Sequence, residues 1–109
     1  MTDEELFEYH SKMCGRALDI CRRKNHDYAT GSGAGPFANF SRVEGMGVTS
    51  TEQGFMVRIV DKLSRLSTYA KSGRLQVSDE GVQDTLLDLL NYTVLLSAYI
   101  QDKEIRNEG

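Results

Sequence analysis

Apolar side chains recur at helical spacing along three long stretches of the chain, and this periodicity constrains the fold more than any other feature. The stretches run from Asp3 to Lys24, from Thr51 to Ser72, and from Ser78 to about Asp102. The sequence contains a single proline, so little interrupts such helices. We therefore predict that residues 1–109 form a single all-α domain with three long helices.

Capping residues mark the ends of these predicted helices. Thr2 and Ser50 each precede a helix and are followed three positions later by Glu5 and Gln53, the pattern of a capping box. Gly73 follows the second helix, where a residue in the left-handed conformation ends many helices. The C-terminal segment KEIRNEG is predicted to fray.

The connection between the first and second long helices concentrates glycines and contains the proline. We expect it to be long and mostly irregular, and we allow a short helical turn at about Ala38 to Val43. Its GSGAG segment, Gly31 to Gly35, is not a phosphate-binding Walker loop because no GK[ST] follows it, and we interpret it as a flexible hinge or lid. Phe37, Asn39 and Phe40 could be lid residues that stack on a base, but core packing is favoured for them.

Three apolar helices of this length make a thin core for one chain. The apolar residues of the second and third long helices exceed what a monomer of this size would bury. We therefore predict a four-helix-bundle-like core that is completed by homo-oligomerisation.

Acidic residues on the last helix form a ladder, because Glu80, Asp84 and Asp88 are four residues apart and so share one face. The second long helix has a polar stripe at compatible spacing: Arg58, Asp61, Lys62, Arg65 and Tyr69. Taken alone, the two patterns favour an ion-pair seam or solvated faces. The functional alternative is a site for a hard divalent cation such as Mg²⁺, which prefers oxygen ligands and is often shared with substrate phosphates.

In that alternative the candidate metal ligands and catalytic acids are Asp61, Asp84 and Asp88, with Lys62 as a further catalytic candidate. Arg58 and Arg65 would join Lys62 in binding phosphates. KNHDY, at the predicted exit of the first helix, is more often a capped helix end than a site. Its side chains can nevertheless contact a base, sugar or phosphate, and the candidates are Lys24, His26, Asp27 and Tyr28.

Four segments in this order, KNHDY, FANFSRVE, MVRIVDKLSRL and DTLLDLLNY, resemble the often phage-encoded family called nucleotide modification associated domain type 1. The resemblance extends from about Lys24 to Leu96 and implies a role in nucleotide metabolism. DTLLDLLNY contains Asn91, which we also count among the candidate substrate contacts.

A more distant similarity is to the MazG-like all-α nucleoside triphosphate pyrophosphohydrolases. Those proteins hold Mg²⁺ with acidic residues on two helices, which by resemblance assigns Asp61, Asp84 and Asp88 as ligands. The acid set departs from the group, because Asp84 precedes Asp88 by four residues instead of three, and Asp61 stands alone on its helix.

Three functions remain open from the sequence, and the third and blandest is a helical structural or adaptor module whose polar stripes are ion-pair seams. The first is a Mg²⁺-dependent pyrophosphohydrolase of (deoxy)nucleotides in phage nucleotide metabolism, with a carboxylate or His26 as base. The second is a non-catalytic nucleotide-binding protein, such as a viral sponge that sequesters a nucleotide signal. A net charge of −3 argues against direct nucleic-acid binding. No apolar run is long enough for a membrane span and no secretory signal is evident, so we expect a cytoplasmic protein, in the host cytoplasm if viral.

Overall fold

The computed structural model describes residues 1–29, 35–74 and 81–108, and the side chains of these residues except 26–29 and 108. All regular secondary structure in those ranges is α-helical, which confirms the predicted all-α class. Three helices are long and one is short: α1 (Asp3–Ala29), α2 (Ala38–Gly45), α3 (Thr51–Ser72) and α4 (Val82–Glu108). The helical turn allowed near Ala38 is thus a helix of 8 residues.

The capping signals set the bounds of α3 as predicted. The Ser50 hydroxyl accepts a hydrogen bond from the backbone N–H of Gln53 at 3.1 Å, which begins the helix. Gly73 ends it in the left-handed conformation with φ 76°, and its N–H donates to the carbonyl of Tyr69 at 2.7 Å. Any residue with a side chain would be strained in this conformation, which explains why glycine occupies position 73.

Two predicted helix ends were wrong. The backbone of α1 continues through KNHDY to Ala29, so this segment is the last part of the helix and not its exit. It contains no glycine or proline to stop the helix. The segment KEIRNEG, predicted to fray, is helical as far as Glu108, and an ion pair at 3.3 Å between Arg106 and Asp102 supports its final turns. The predicted start of α4 at Ser78 lies outside the described residues.

An aromatic cluster forms the core between α2, α3 and α4. Phe40, Phe55 and Tyr99 are buried at its centre, and the rings of Phe40 and Phe55 stack with centroids 4.0 Å apart. Gly54 lets α2 approach α3 closely, since a Cβ there would lie 3.0 Å from Cγ2 of Val43. The preference for Phe40 as a core residue is therefore confirmed.

Helix α1 is attached differently, because it packs chiefly along α4. Ala17 is the one residue of α1 whose described side chain is buried. Several large apolar side chains of α1 face solvent, among them Phe7, Leu6 and Leu18. None of the described helices is long and apolar enough to cross a membrane.

Candidate ligand-binding site

A cavity of about 290 Å³ lies where α1 meets α2, α3 and α4. Its lining comes from the second half of α1, from the segment that enters α2, and from the facing sides of α3 and α4. On α4 the lining residues are Asp88, Asn91, Tyr92 and Leu95, spaced so that they share one helical face. The helical repeat of α4 therefore places these four residues together on one wall of the cavity.

Asp88 is the centre of an ion cluster at the cavity wall. One of its carboxylate oxygens, Oδ1, lies 3.3 Å from the ammonium group of Lys24, and Oδ2 lies 3.0 Å from that of Lys62. The side chains of Asp88 and Lys62 are only 17% and 11% exposed, so this pair is shielded from water much more than an ordinary surface pair. The cluster joins α1, α3 and α4, and two ammonium groups surround one carboxylate.

Further cations line the same cavity. Arg22 and Arg58 contribute to its wall together with Lys24, whereas Asp88 is the one acidic residue among the described lining residues. The guanidinium carbon of Arg58 lies 5.5 Å from the centroid of the Phe40 ring, a cation–π distance that orients the arginine beside the aromatic wall. Among the described lining residues, positive charge therefore exceeds negative charge.

The remaining wall is apolar and aromatic. Phe40, Tyr92 and Leu95 line the cavity, and the rings of Phe40 and Tyr92 meet edge to face with centroids 6.0 Å apart. Because Phe40 is also stacked on the buried ring of Phe55, this side of the cavity is continuous with the core. It is a rigid apolar surface next to a cationic one.

Asn91 offers a hydrogen-bond acceptor at the cavity. Its side-chain Nδ2 donates to the backbone carbonyl of Ala17 on α1 at 2.9 Å. Only the amide nitrogen can donate to a carbonyl, so this bond fixes which end of the carboxamide is the oxygen. Among the described residues none donates to that oxygen, so we count it as a candidate acceptor for a donor on a ligand.

The structure places the predicted site residues unequally. Lys24, Arg58, Asp88 and Asn91 line the cavity, and Lys62 reaches it through Asp88. The ion pair of Lys62 with Asp88 is also one contact of the ion-pair seam that the sequence predicted between α3 and α4. His26, Asp27 and Tyr28 lie outside the described side chains, and Glu80 and residues 31–34 of the GSGAG segment lie outside the described residues.

The other two candidate metal ligands have partners of their own. Asp61 is 60% exposed and lies 3.6 Å from Arg65 one turn along α3. Asp84 is exposed in the first turn of α4, where its carboxylate accepts from the backbone N–H of Gly81 at 3.4 Å. Within the described part of the chain, no three acidic, histidine or cysteine side chains gather into a metal-binding group.

These carboxylates therefore do not fit a Mg²⁺ site as they stand. Asp88 is compensated by two ammonium groups, and Asp84 acts as a helix cap. The assignment of all three as metal ligands stays a prediction.

Sequence reasoning missed several residues of the cavity. Arg22 has the clearest chemistry among them, as a cation for an anionic ligand. The sequence does place Tyr92 on the face of the acidic ladder, four residues after Asp88, although Tyr92 was not counted among the candidate site residues. Arg22 gave no such signal, since its position depends on how α1 lies against the rest of the bundle.

Comparisons of the chain with protein-family models, with curated proteins and with solved structures found no match.

Proposed function

We propose that this protein binds a nucleotide, with the phosphates at the cationic wall of the cavity and the base at its aromatic wall. The observation that supports the proposal is the direct contact of these two surfaces within one cavity, where Arg58 lies against Phe40. A nucleotide combines the same two chemistries, a polyanion and a planar aromatic ring. The resemblance of KNHDY and DTLLDLLNY to a nucleotide-metabolism family points to the same ligand class.

Charge favours binding of the phosphates at the cationic wall. Arg22, Lys24 and Arg58 line the cavity and Asp88 offsets only part of their charge. Arginine and lysine donate charge-assisted hydrogen bonds to phosphate oxygens, and these are about twice as strong as neutral ones. A di- or triphosphate would supply the negative charge that the described residues of the cavity lack.

The size and polarity of the cavity favour a base at its aromatic wall. At about 290 Å³ the cavity is near the lower bound of small-molecule sites, enough for a base and sugar with the phosphates toward the opening. Phe40 and Tyr92 provide aromatic surface, and the side-chain oxygen of Asn91 provides one acceptor. A base with an N–H or amino group at its edge matches that acceptor.

Binding without chemistry is the first form of this proposal, and the ion cluster supports it. Mg²⁺-dependent hydrolysis requires carboxylates that are available to the metal, whereas Asp88 is held between Lys24 and Lys62. Hydrolysis by a MazG-like pyrophosphohydrolase is the second form. It is favoured by one observation, that Asp88 lies in the cavity wall with Asp84 one turn before it on α4. Under this form the ligand phosphates would replace Asp88 as partner of the lysines.

One experiment tests both forms. Calorimetric titration with a panel of ribo- and deoxynucleoside mono-, di- and triphosphates, with and without Mg²⁺, measures binding, and chromatography of the ligand after denaturing the protein detects turnover. The binding form predicts Mg²⁺-independent binding and intact ligand. The hydrolase form predicts pyrophosphate release that requires Mg²⁺. No binding of any nucleotide would contradict the proposal as a whole.

The variant Asp88→Asn separates the two forms further. It removes the carboxylate that competes with phosphate for Lys24, so the binding form predicts equal or tighter binding at low salt. The hydrolase form predicts loss of turnover in the same variant. Asp102→Asn, a change to an exposed aspartate of α4 that does not line this cavity, is the control and should alter neither result.

We further propose that the protein is a homo-oligomer in the cytoplasm of its host. Large apolar side chains of described residues are exposed on both α1 and α3, among them Phe7, Val57 and Val60. Exposed apolar surface of this kind is typical of protein interfaces, which supports a chain that buries part of its surface against other copies.

A further inference from the structure

Cations on two different helices line the opening of the cavity. Arg22 and Lys24 come from α1, and Arg58 comes from α3. All three side chains are exposed to solvent, which places them toward the opening and not at the base of the cavity. A ligand whose anionic groups lie at this opening therefore meets positive charge from both helices.

These two helices are not held to the rest of the protein in the same way. Helix α3 contributes the fully buried ring of Phe55 to the core, whereas the described part of α1 buries Ala17 alone. Beyond Ala17, the ion pair of Lys24 with Asp88 joins the described part of α1 to α4. Segments with little buried apolar surface open at a lower free energy than the core. The second half of α1 is therefore the wall of the cavity that opens most easily.

Two arginines of the cavity have no described anionic partner. The carboxylate of Asp88 pairs with Lys24 and Lys62, at 3.3 Å and 3.0 Å. The described residues provide no carboxylate to Arg22 or Arg58, and one of these arginines belongs to each helix. A guanidinium group binds a phosphate group through two parallel hydrogen bonds. The two arginines together therefore match a ligand with at least two phosphate groups.

Arg58 is the fixed end of this pair. Its guanidinium carbon lies 5.5 Å from the centroid of the Phe40 ring, and that ring stacks on the buried ring of Phe55. Arg22 is exposed on α1, so its position changes when α1 moves. A phosphate group at Arg58 can therefore bind to either position of α1, whereas a second group reaches Arg22 only when α1 lies against the bundle.

We infer that the ligand is a nucleoside di- or triphosphate whose phosphate chain bridges Arg58 on α3 and Arg22 on α1, and that this bridge closes the second half of α1 over the site. The inference rests on the proposed nucleotide binding and specifies its ligand class. A ligand that binds one conformation more tightly shifts the population toward that conformation. A monophosphate at Arg58 lacks the second group and leaves α1 as it is in the free protein.

Hydrogen exchange of the full chain, followed by mass spectrometry, tests this closure. The probes are ATP, GTP, dCTP and dTTP, each compared with its monophosphate at about 100 times Kd. The part of α1 after Ala17 is too short to remain helical alone in water, so its opening exposes its amides to exchange. We expect a triphosphate to slow exchange in residues 18–25 by up to about 100-fold, and the monophosphate to leave it nearly unchanged.

The amides of α3 around Phe55 are the internal reference. They lie in the core and exchange through unfolding of the whole domain, which any bound nucleotide suppresses. A triphosphate and its monophosphate at equal saturation should therefore slow these amides equally. The difference between the two nucleotides should be confined to α1.

A matched pair of variants tests the bridge itself. Arg22 and Arg23 are adjacent and exposed on α1, but of the two only Arg22 lines the cavity. Arg22→Gln should raise the Kd of the triphosphate about tenfold or more, leave the Kd of the monophosphate unchanged, and abolish the added protection of residues 18–25. Arg23→Gln should behave as the wild type in all three measurements.

The possible failures are distinguishable. If none of the nucleotides binds, both the proposed function and the bridge are overturned. If a triphosphate binds but protects residues 18–25 no more than its monophosphate does, the bridge is overturned and nucleotide binding stands. The same conclusion follows if Arg22→Gln and Arg23→Gln have equal affinities for the triphosphate.

Discussion

The two sides of α4 are held to their neighbours by different forces. On one side the rings of Phe40, Phe55 and Tyr99 join α2, α3 and α4 into an aromatic core. On the other side α1 buries one described residue, Ala17, and is joined to α4 by polar contacts that include the bond of Asn91 to Ala17 and the ion pair of Lys24 with Asp88. The aromatic side is built from stacked buried rings, whereas the described contacts on the α1 side combine less burial with specific polar bonds.

This difference explains where the cavity lies. A dry, close-packed core leaves no space for a ligand, whereas a helix attached at separated polar points leaves gaps between those points. The cavity occupies the boundary, with Phe40 from the packed side and Lys24 from the polar side in its wall. Regions with few buried apolar contacts also open at lower free energy, so we expect α1 to be the movable wall of the site.

The largest expected effect is the loss of an aromatic ring from the packed side. Phe55→Ala removes a fully buried side chain that stacks on Phe40, and we expect the free energy of unfolding to fall by about 3–5 kcal/mol. Urea denaturation followed by circular dichroism measures this change. Phe7→Ala on α1 makes the same substitution at a 67% exposed position and should cost less than about 1 kcal/mol. Equal losses would mean that α1 is packed as firmly as α3.

The sequence predicts the packed side better than the α1 side, and the reason is the range of the interactions. The ends of α3 follow from Ser50, Gln53 and Gly73, whose effects are local. The end of α1 was predicted too early, because KNHDY contains side chains suited to a helix cap but no residue that breaks a helix.

The sequence predicted which residues belong to the candidate site better than it predicted which of them contact one another. Lys24, Lys62 and Asp88 were all singled out from the sequence, but their convergence depends on the alignment of three helices that are far apart in the chain. Asp84 shares a helical face with Asp88, yet its place in the first turn lets it cap the helix instead. Helical spacing alone does not distinguish these two roles.

A smaller effect is expected at the polar attachment of α1. Asn91→Ala removes the hydrogen bond to the Ala17 carbonyl, which contributes about 1 kcal/mol, and should lower the free energy of unfolding by a similar amount. Hydrogen exchange should show faster exchange in α1, with α3 amides little changed. Uniform acceleration across all helices would contradict the view that α1 opens separately.

The smallest effect concerns the surface pair that joins the start of α3 to the end of α4. The carboxylate of Glu52 accepts a hydrogen bond from Lys103 at 3.0 Å, and this bond lowers the pKa of Glu52 below its ordinary value of 4.5. Because the folded pKa is lowered, the stabilisation is present above pH 4.5 and is lost as pH falls through the lowered value.

Thermal melts of the wild type and Glu52→Gln between pH 7 and pH 3 measure this contribution. The wild type should lose its small advantage over Glu52→Gln as the pH falls below 4.5. A difference between the two proteins that stays constant down to pH 3 would show that the charge of Glu52 contributes nothing. Asp61→Asn, at another exposed acidic residue of α3, controls for general loss of acidic charge.

The most direct test of the nucleotide cavity is a calorimetric titration of Lys24→Met and Lys12→Met with the nucleoside triphosphate that the wild type binds most tightly. Both lysines are exposed on α1, but only Lys24 lines the cavity. Loss of one charge-assisted hydrogen bond to phosphate predicts a Kd raised about tenfold or more for Lys24→Met and unchanged for Lys12→Met. Equal affinities for the two variants would contradict phosphate binding at this cavity.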